Sequence, residues 1–133
     1  MNEFVWPVRV YWEDTDAGGV VYYANYLKFL ERARSEWLRT LGIHQRELAT
    51  QEDVLFVVRR VEVDYLKPAR FEDALAVQSR ITEMGRASLT MAQQIRRGDE
   101  VLLSAQVKLA CVSASAMRPA KIPPYLLVKL NDA

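Results

Sequence analysis

Hydrophobic residues between Asn25 and Leu41 recur every three or four positions, which is the spacing of an amphipathic helix. Asn25 is a suitable N-cap residue, and Gly42 is a suitable helix stop. The sequence therefore predicts one long helix over residues 25–41. Its apolar stripe consists of Tyr26, Phe29, Leu30, Ala33, Trp37 and Leu41.

Elsewhere the hydrophobic residues alternate with polar ones, which is the period of a strand with one buried face. A short strand is predicted at Val8–Tyr11, before the helix. The polar stretch HQRELATQED follows the helix, and no element is predicted there. After it come four alternating runs, RVEVDY, LAVQSRI, LTMAQQI and VLLSAQVKLAC. In the first run, Val61, Val63 and Tyr65 are expected on the buried face.

Turn residues separate the later runs. EMGRA contains Gly85 and RRGDE contains Gly98, and both segments are short enough for hairpins, so these strands are expected to be antiparallel. In the tail, Pro123-Pro124 predicts a short helix through Lys129.

The predicted fold class is α+β, with one long helix against an antiparallel sheet of about five strands. Residues 1–133 are expected to form a single domain, because no linker or composition change divides them. One helix can cover one face of such a sheet but cannot protect its edges, so a partner subunit is expected.

Composition and charge exclude several classes of function. The chain carries 18 Lys and Arg against 17 Asp and Glu, with no long basic run, so nucleic acid is not expected as a partner. Its apolar runs are far shorter than the ~20 residues of a membrane span. No secretory signal is recognisable at the N-terminus, and the single cysteine excludes an internal disulfide. A cytoplasmic location is therefore expected.

The single histidine and the single cysteine limit the possible chemistry. One His and one Cys cannot build a zinc site of the usual type within one chain. Cys111 lies in an alternating apolar run and is expected to be buried and inert. His44 follows the predicted helix stop and is expected to be a surface or capping residue. No Gly-rich phosphate loop and no G-x-S-x-G motif is present.

The stretch EDTDAGGVVYYANY, from Glu13 to Tyr26, places three carboxylates, two glycines and three tyrosines just before the helix. On its own, Asp14 or Asp16 could be an ordinary loop acid that forms an Asx-turn. The three tyrosines could equally be core or interface residues.

The segment VRVYWEDTDAGGVVYYANYLKFLERAR resembles the hotdog-fold acyl-CoA thioesterases. It is closest to the YbgC-like branch, often encoded beside the Tol–Pal system, and more distantly similar to 4-hydroxybenzoyl-CoA thioesterase. The most specific part is D-x-D-x-x-G-V-V-Y-Y-x-N-Y, and FVVRRVEVDYLKPARFED extends the likeness. The resemblance implies a hotdog fold, in which an antiparallel sheet wraps around the long helix. It also implies a homodimer or homotetramer with the thioester bound between subunits.

For the site, the resemblance implies that Asp16 is the catalytic carboxylate, acting as nucleophile or general base without metal or cofactor. It implies that the backbone N–H of Tyr23 faces the thioester carbonyl. Thioester hydrolysis requires such a carboxylate and such a donor, and a helix N-terminus provides free N–H groups. Gly18 and Gly19 allow close backbone approach, and Asp14 is expected to hold the loop.

The acyl pocket is expected to include Trp12 and Tyr22 beside Tyr23, whereas Tyr26 is interpreted as structural. YbgC-like proteins often have His at the position of Tyr23 and Tyr at the position of Trp12. The first difference removes the obvious general base beside Asp16. The hydroxybenzoyl branch also has Tyr there and works from the carboxylate.

Coenzyme A carries phosphates, so a basic rim is expected around the site. By alignment to the hydroxybenzoyl branch, Arg86 and Ser88 match residues that contact the nucleotide. Arg59 and Lys67 are further candidates, and a solvated charged surface is the alternative interpretation for each.

Three hypotheses follow. The first is a hydrolase of acyl-CoA or acyl-carrier-protein thioesters, with the acyl group undetermined. The second is a non-catalytic adaptor that binds acyl-CoA or acyl carrier protein on the same fold. The third, a dehydratase of 3-hydroxyacyl thioesters, has little support because that chemistry usually pairs a carboxylate with a His, and His44 lies outside the loop.

Overall fold

The computed structural model describes residues 3–132, which form five strands and three α-helices. Two short 3-10 turns, Trp12–Asp14 and Tyr23–Asn25, flank the acidic loop. The strands are β1 Glu3–Arg9, β2 Val54–Tyr65, β3 Ala74–Met84, β4 Ser88–Arg97 and β5 Glu100–Ser113. The helices are α1 Tyr26–Thr40, α2 Gln45–Glu52 and α3 Pro124–Asn131.

The strands form one sheet in the order β1-β3-β4-β5-β2, and all neighbours are antiparallel. The predicted hairpins at Gly85 and Gly98 are confirmed, since they join β3 to β4 and β4 to β5. Gly98 has φ +61°, a left-handed conformation that glycine adopts without strain. Strands β1 and β2 are the two edges of the sheet.

Helix α1 packs its predicted apolar stripe into the core. Tyr26, Phe29, Leu30, Ala33 and Trp37 are all buried, and the ring of Trp37 stacks on Phe4 of β1. The predicted stop is confirmed at Gly42, which has φ +77°. The N–H groups of Gly42 and Ile43 bond to the carbonyls of Arg39 and Leu38, which satisfies the last turn of the helix.

A buried glutamine joins α1 to the sheet. Gln93 of β4 is only 1% exposed, and its Nε2 donates to the Leu30 carbonyl at 3.1 Å and to Ser79 Oγ at 2.9 Å. Its Oε1 accepts a bond from Arg34 Nη1 at 3.0 Å. This side chain lies on the same face as Leu89 and Met91, where a strictly apolar pattern would place a hydrophobic residue.

Three expectations need correction. The first strand runs Glu3–Arg9 rather than Val8–Tyr11, and it accommodates Pro7 because an edge strand tolerates a missing N–H donor. The polar stretch after α1 contains helix α2, which buries only Leu48 and therefore shows no apolar stripe.

The third correction concerns the first alternating run, RVEVDY, for which a buried face is expected. Val61 is 38% exposed and Tyr65 is 47% exposed, because β2 lies at the edge of the sheet. By contrast, the terminal helix starting at Pro124 is confirmed and ends at Asn131. Among residues 3–132, no helix combines the length and apolarity that crossing a lipid bilayer requires.

Candidate active site

The acidic loop before α1 folds into a small hairpin. Thr15 pairs with Val21 in an isolated antiparallel bridge, and Asp16 N–H donates to the Val20 carbonyl at 2.9 Å. Gly19 closes the tip with φ +78°. A second bridge joins Val20 to Arg70, so the hairpin is fixed to the segment that leads into β3.

Asp14 is buried and anchors the base of this hairpin. Its Oδ2 accepts a bond from the Tyr11 N–H at 2.8 Å, and its Oδ1 accepts one from Asn25 Nδ2 at 3.0 Å. The Asp14 carbonyl accepts the Tyr22 N–H at 3.1 Å. Asn25 occupies the N-cap position of α1, but its side chain binds Asp14 instead of capping the helix.

Asp16, by contrast, is exposed at the hairpin tip. Its Oδ1 accepts the Gly18 N–H at 2.8 Å, so the side chain closes an Asx-turn. A Cβ at position 18 would lie 3.2 Å from that same oxygen, which leaves little room for any residue except glycine. The other carboxylate oxygen has no such bond in the described chain, so the group is held while still facing solvent.

Tyr23 begins a 3-10 turn that leads directly into α1. The turn is closed by the Asn25 N–H, which donates to the Tyr22 carbonyl at 2.8 Å. The first N–H groups of a helical segment have no acceptor inside it. For the Tyr23 N–H, no acceptor occurs elsewhere in residues 3–132. This N–H is therefore available to an external carbonyl oxygen.

Next to Tyr23 lies an open cavity of about 280 Å³ with largely apolar walls. Its lining consists of Val21, the tyrosines Tyr23, Tyr26 and Tyr65, and residues 66–68. The Tyr23 ring meets Tyr65 edge-on, with the ring centroids 6.3 Å apart. The Tyr23 side chain itself is 63% exposed.

Two phenol groups in this cavity are hydrogen-bonded to backbone. Tyr65 Oη donates to the Tyr23 carbonyl at 3.0 Å, and Tyr26 Oη accepts the Ala69 N–H at 2.9 Å. Burial raises the pKa of Tyr65, and Tyr23 adds to the effect. Burial also raises the pKa of Tyr26. Both groups therefore stay protonated at neutral pH.

The two aromatic residues expected in the acyl pocket lie outside this cavity. Trp12 is 68% exposed and stacks on Phe71, with ring centroids 3.9 Å apart. Tyr22 is half exposed and contacts Tyr23, with ring centroids 4.9 Å apart. Only Tyr22 thus adjoins a residue that lines the cavity.

The expected coenzyme A residues fall at two ends of the sheet. Lys67 lines the tyrosine cavity, and its Nζ lies 2.7 Å from Glu100 Oε2. Arg86 and Ser88 lie at the turn between β3 and β4, at the opposite end of β4 from Arg97. With about 3.3 Å per residue, β4 separates the two ends by roughly 30 Å. One protomer therefore does not bring these groups together.

The remaining candidates add little to the site. Arg59 is exposed at an irregularity in β2, where the pairing with β5 shifts register. His44 is exposed at the start of α2, and Cys111 is fully buried. Residues 3–132 contain no cluster of three or more His, Cys, Asp or Glu side chains that is arranged to hold a metal ion.

Sequence reasoning missed the backbone contact of Tyr65 and the Asp14–Asn25 bond. Tyr65 carries a signal, since it opens the Y-x-x-P-A pattern that leads into Ala69 and Arg70. No periodicity signals the Asp14–Asn25 pair, because the two residues are eleven positions apart and meet only when the hairpin folds.

Comparisons with known proteins show the family to which the chain belongs. Residues 18–104 match the family model described as the thioesterase superfamily. The chain is 45% identical over 122 residues to the acyl-CoA thioesterase YbgC of Haemophilus influenzae, covering 92% of this chain and 90% of that protein. It is 46% identical over 130 residues to the acyl-CoA thioester hydrolase YbgC of Escherichia coli O6:H1, covering 97% and 96%.

A solved structure of a probable thioesterase from Bartonella henselae superposes with a TM-score of 0.87 at 36% identity, covering 92% of this chain and all of that one. The five-stranded antiparallel sheet and the long helix thus agree with the structural match. The chain belongs to the thioesterase superfamily, as a YbgC-like member with the hotdog fold.

Proposed function

We propose that this protein is an acyl-CoA thioesterase in which Asp16 and the backbone N–H of Tyr23 act on the thioester carbonyl. The observation that carries the proposal is the loop itself. It holds the exposed Asp16 carboxylate at its tip by the bond from the Gly18 N–H, and it ends in a backbone N–H that has no acceptor in residues 3–132. The acyl-CoA thioesterase names of the YbgC relatives support the same activity.

In the proposed reaction, the thioester carbonyl oxygen accepts the Tyr23 N–H, which stabilises the negative charge that develops during attack. Asp16 either removes a proton from the attacking water or attacks the carbonyl carbon itself. The C–S bond then breaks. In the general-base route the leaving thiolate takes the proton that Asp16 removed from water, and in the nucleophilic route it leaves as thiolate and is protonated by solvent. In the nucleophilic route, water then hydrolyses the acyl anhydride and restores Asp16.

The tyrosine cavity supports a role in acyl binding. Tyr26, Tyr65 and Leu66 present apolar surface beside the Tyr23 N–H, where an acyl group would have to lie. Tyr23 stands where YbgC-like proteins often have His, so Asp16 is the titratable group on which the proposed chemistry depends.

A homodimer is part of the proposal, and a homotetramer would be two such dimers. Strand β2 is an open edge, and Val58 and Tyr65 on it are 50% and 47% exposed. Pairing two β2 edges would satisfy their free backbone groups and cover this apolar surface. It would also bring a second subunit next to the tyrosine cavity.

A dimer also offers a way to complete the coenzyme A site. Lys67 of one subunit and Arg86 and Ser88 of the other could then bind the same molecule, although they lie roughly 30 Å apart within one chain. We propose the phosphates as the ligands of these groups. The cytoplasm, where acyl-CoA is available, is the proposed location.

The test is thiol release from a panel of short, long, branched and aromatic acyl-CoAs, comparing the wild type with Asp16→Asn. Asn retains the oxygen that accepts the Gly18 N–H, so the hairpin should persist. We expect turnover of some panel members and a loss of about 10²- to 10⁴-fold in the variant. The matched control is Glu13→Gln, an exposed acid of the same loop, with expected activity near that of the wild type.

Unchanged turnover in Asp16→Asn would refute the catalytic role of Asp16. No turnover by a wild-type protein that still binds coenzyme A would instead favour the adaptor function. One observation favours that alternative, namely the tyrosine at position 23 in place of the frequent His. The panel would then be repeated with acyl carrier protein thioesters.

A further inference from the structure

We infer that Tyr65 is a positioning residue, whose phenol O–H fixes the backbone of Tyr23 so that the Tyr23 N–H points at the thioester carbonyl. This inference rests on the proposed function, in which that N–H is the donor to the developing oxyanion. It assigns a specific task to the last residue of β2, which lies 42 residues from Tyr23 in the chain.

The geometry holds both peptide groups that flank the Tyr23 Cα. On the N-terminal side, the Tyr22 carbonyl, which shares a peptide group with the Tyr23 N–H, accepts the Asn25 N–H at 2.8 Å. On the C-terminal side, the Tyr23 carbonyl accepts the Tyr65 O–H at 3.0 Å. Because a peptide group is planar, the Asn25 bond sets the plane that contains the Tyr23 N–H. The Tyr65 bond holds the adjoining Tyr23–Ala24 peptide, so rotation about the Tyr23 Cα is opposed from both sides.

The 3-10 turn needs this second support because it is only three residues long. Its side chain at position 23 is 63% exposed, so packing does little to hold it. Catalytic hydrogen bonds require precise geometry, and a displacement of about 1 Å can cost up to about 10²-fold in rate. A donor from a sheet strand supplies a rigid reference for the turn.

The phenol is suited to this task at physiological pH. Burial and the neighbouring Tyr23 raise the pKa of Tyr65, so its proton is retained and the group remains a donor. The Tyr65 ring also contacts Tyr26, with centroids 5.7 Å apart, which orients the O–H toward the turn.

The test separates the hydroxyl from the ring by replacing Tyr65 with Phe. Phe keeps the cavity wall and the aromatic contacts but removes the bond to the Tyr23 carbonyl. We expect kcat to fall about tenfold while KM changes less than about twofold, because ground-state binding depends on the wall and catalysis on the donor. The matched control is Tyr125→Phe, which removes a hydrogen-bonded phenol O–H from α3, outside the cavity.

The outcomes distinguish this inference from the proposed function. Wild-type kcat in Tyr65→Phe, with an active wild type, would overturn the positioning role and leave the hydrolase function intact. A rise in KM of about tenfold with unchanged kcat would also overturn it, because that result would assign Tyr65 to substrate binding. Absence of turnover in the wild type would refute the proposed function itself. In that case, amide hydrogen exchange in the wild type and in Tyr65→Phe decides the inference. Equal protection of the Ala24 and Asn25 amides in the two proteins would overturn it.

Discussion

At the scale of single residues, the two aspartates of the loop have different environments although they are two positions apart. Asp14 is 6% exposed and accepts two hydrogen bonds, whereas Asp16 is exposed and accepts one. Burial and partners make the first carboxylate structural. Exposure leaves the second available for chemistry.

We therefore predict that Asp14→Ala lowers the free energy of unfolding by about 3 kcal/mol, because the Asn25 amide and the Tyr11 N–H lose a charged acceptor. Urea denaturation followed by circular dichroism would measure the change. Asp16→Ala is the matched control, with an expected loss below about 1 kcal/mol. Equal losses in the two variants would contradict this division of roles.

The sequence predicts much of this loop, including an Asp14 that holds it, but not the partners through which Asp14 does so. The resemblance carried by D-x-D-x-x-G-V-V-Y-Y-x-N-Y identifies the segment and implies a catalytic role for Asp16, which stays a prediction. The partners of Asp14 could not be predicted, because Asn is a preferred N-cap residue and Asn25 stands directly before the helix. In the folded chain the Asn25 amide instead donates to the buried Asp14 carboxylate, and this bond replaces the helix cap.

At the scale of secondary-structure elements, α1 and the central strands follow the apolar pattern closely because both are covered by the core. The edges and the short helix do not. Helix α2 buries only Leu48, so only the helix-forming residues of RELATQE could have indicated it. In β2, apolar and polar residues do alternate, but this pattern cannot specify what covers the apolar face. Because β2 is an edge strand, Val61 and Tyr65 are exposed in this chain.

The contact between α1 and β4 depends on the buried Gln93. Arg34 is half-buried and donates to Gln93 Oε1 at 3.0 Å, and burial lowers the pKa of its guanidinium. We predict that Gln93→Leu lowers the free energy of unfolding by about 2–3 kcal/mol, although leucine would suit the apolar surroundings. Thermal and urea denaturation would both report the loss.

Two further variants test this interpretation of Gln93. Gln106→Leu changes an exposed glutamine on the outer face of β5, and its expected effect is within about 0.5 kcal/mol. The double variant Arg34→Leu/Gln93→Leu should be more stable than Gln93→Leu alone, since it removes the stranded charge. Additive losses from the two single changes would show that the Arg34–Gln93 bond contributes nothing.

At the scale of the whole molecule, the two sheet edges differ in what they leave exposed. Edge β1 is short, with seven residues, and contains Pro7, which lacks an N–H donor. Edge β2 has twelve residues, and Val58, Val61 and Tyr65 on it are all more than a third exposed. A long edge that exposes apolar side chains between its charged ones is the surface that a second copy of the chain would cover.

We therefore predict that Val58→Lys shifts the protein from dimer, or tetramer, to monomer, because a lysine on each β2 edge would place like charges against each other. Val5→Lys on β1 is a closely matched control, since both valines are 50% exposed on an edge strand. Sedimentation velocity across a concentration series would separate the two variants. Because the tyrosine cavity adjoins β2, the monomeric variant should also lose turnover of acyl-CoA. If Val5→Lys dissociates and Val58→Lys does not, the interface lies at β1. If the wild type sediments as a monomer, the proposed site contains no contact between subunits.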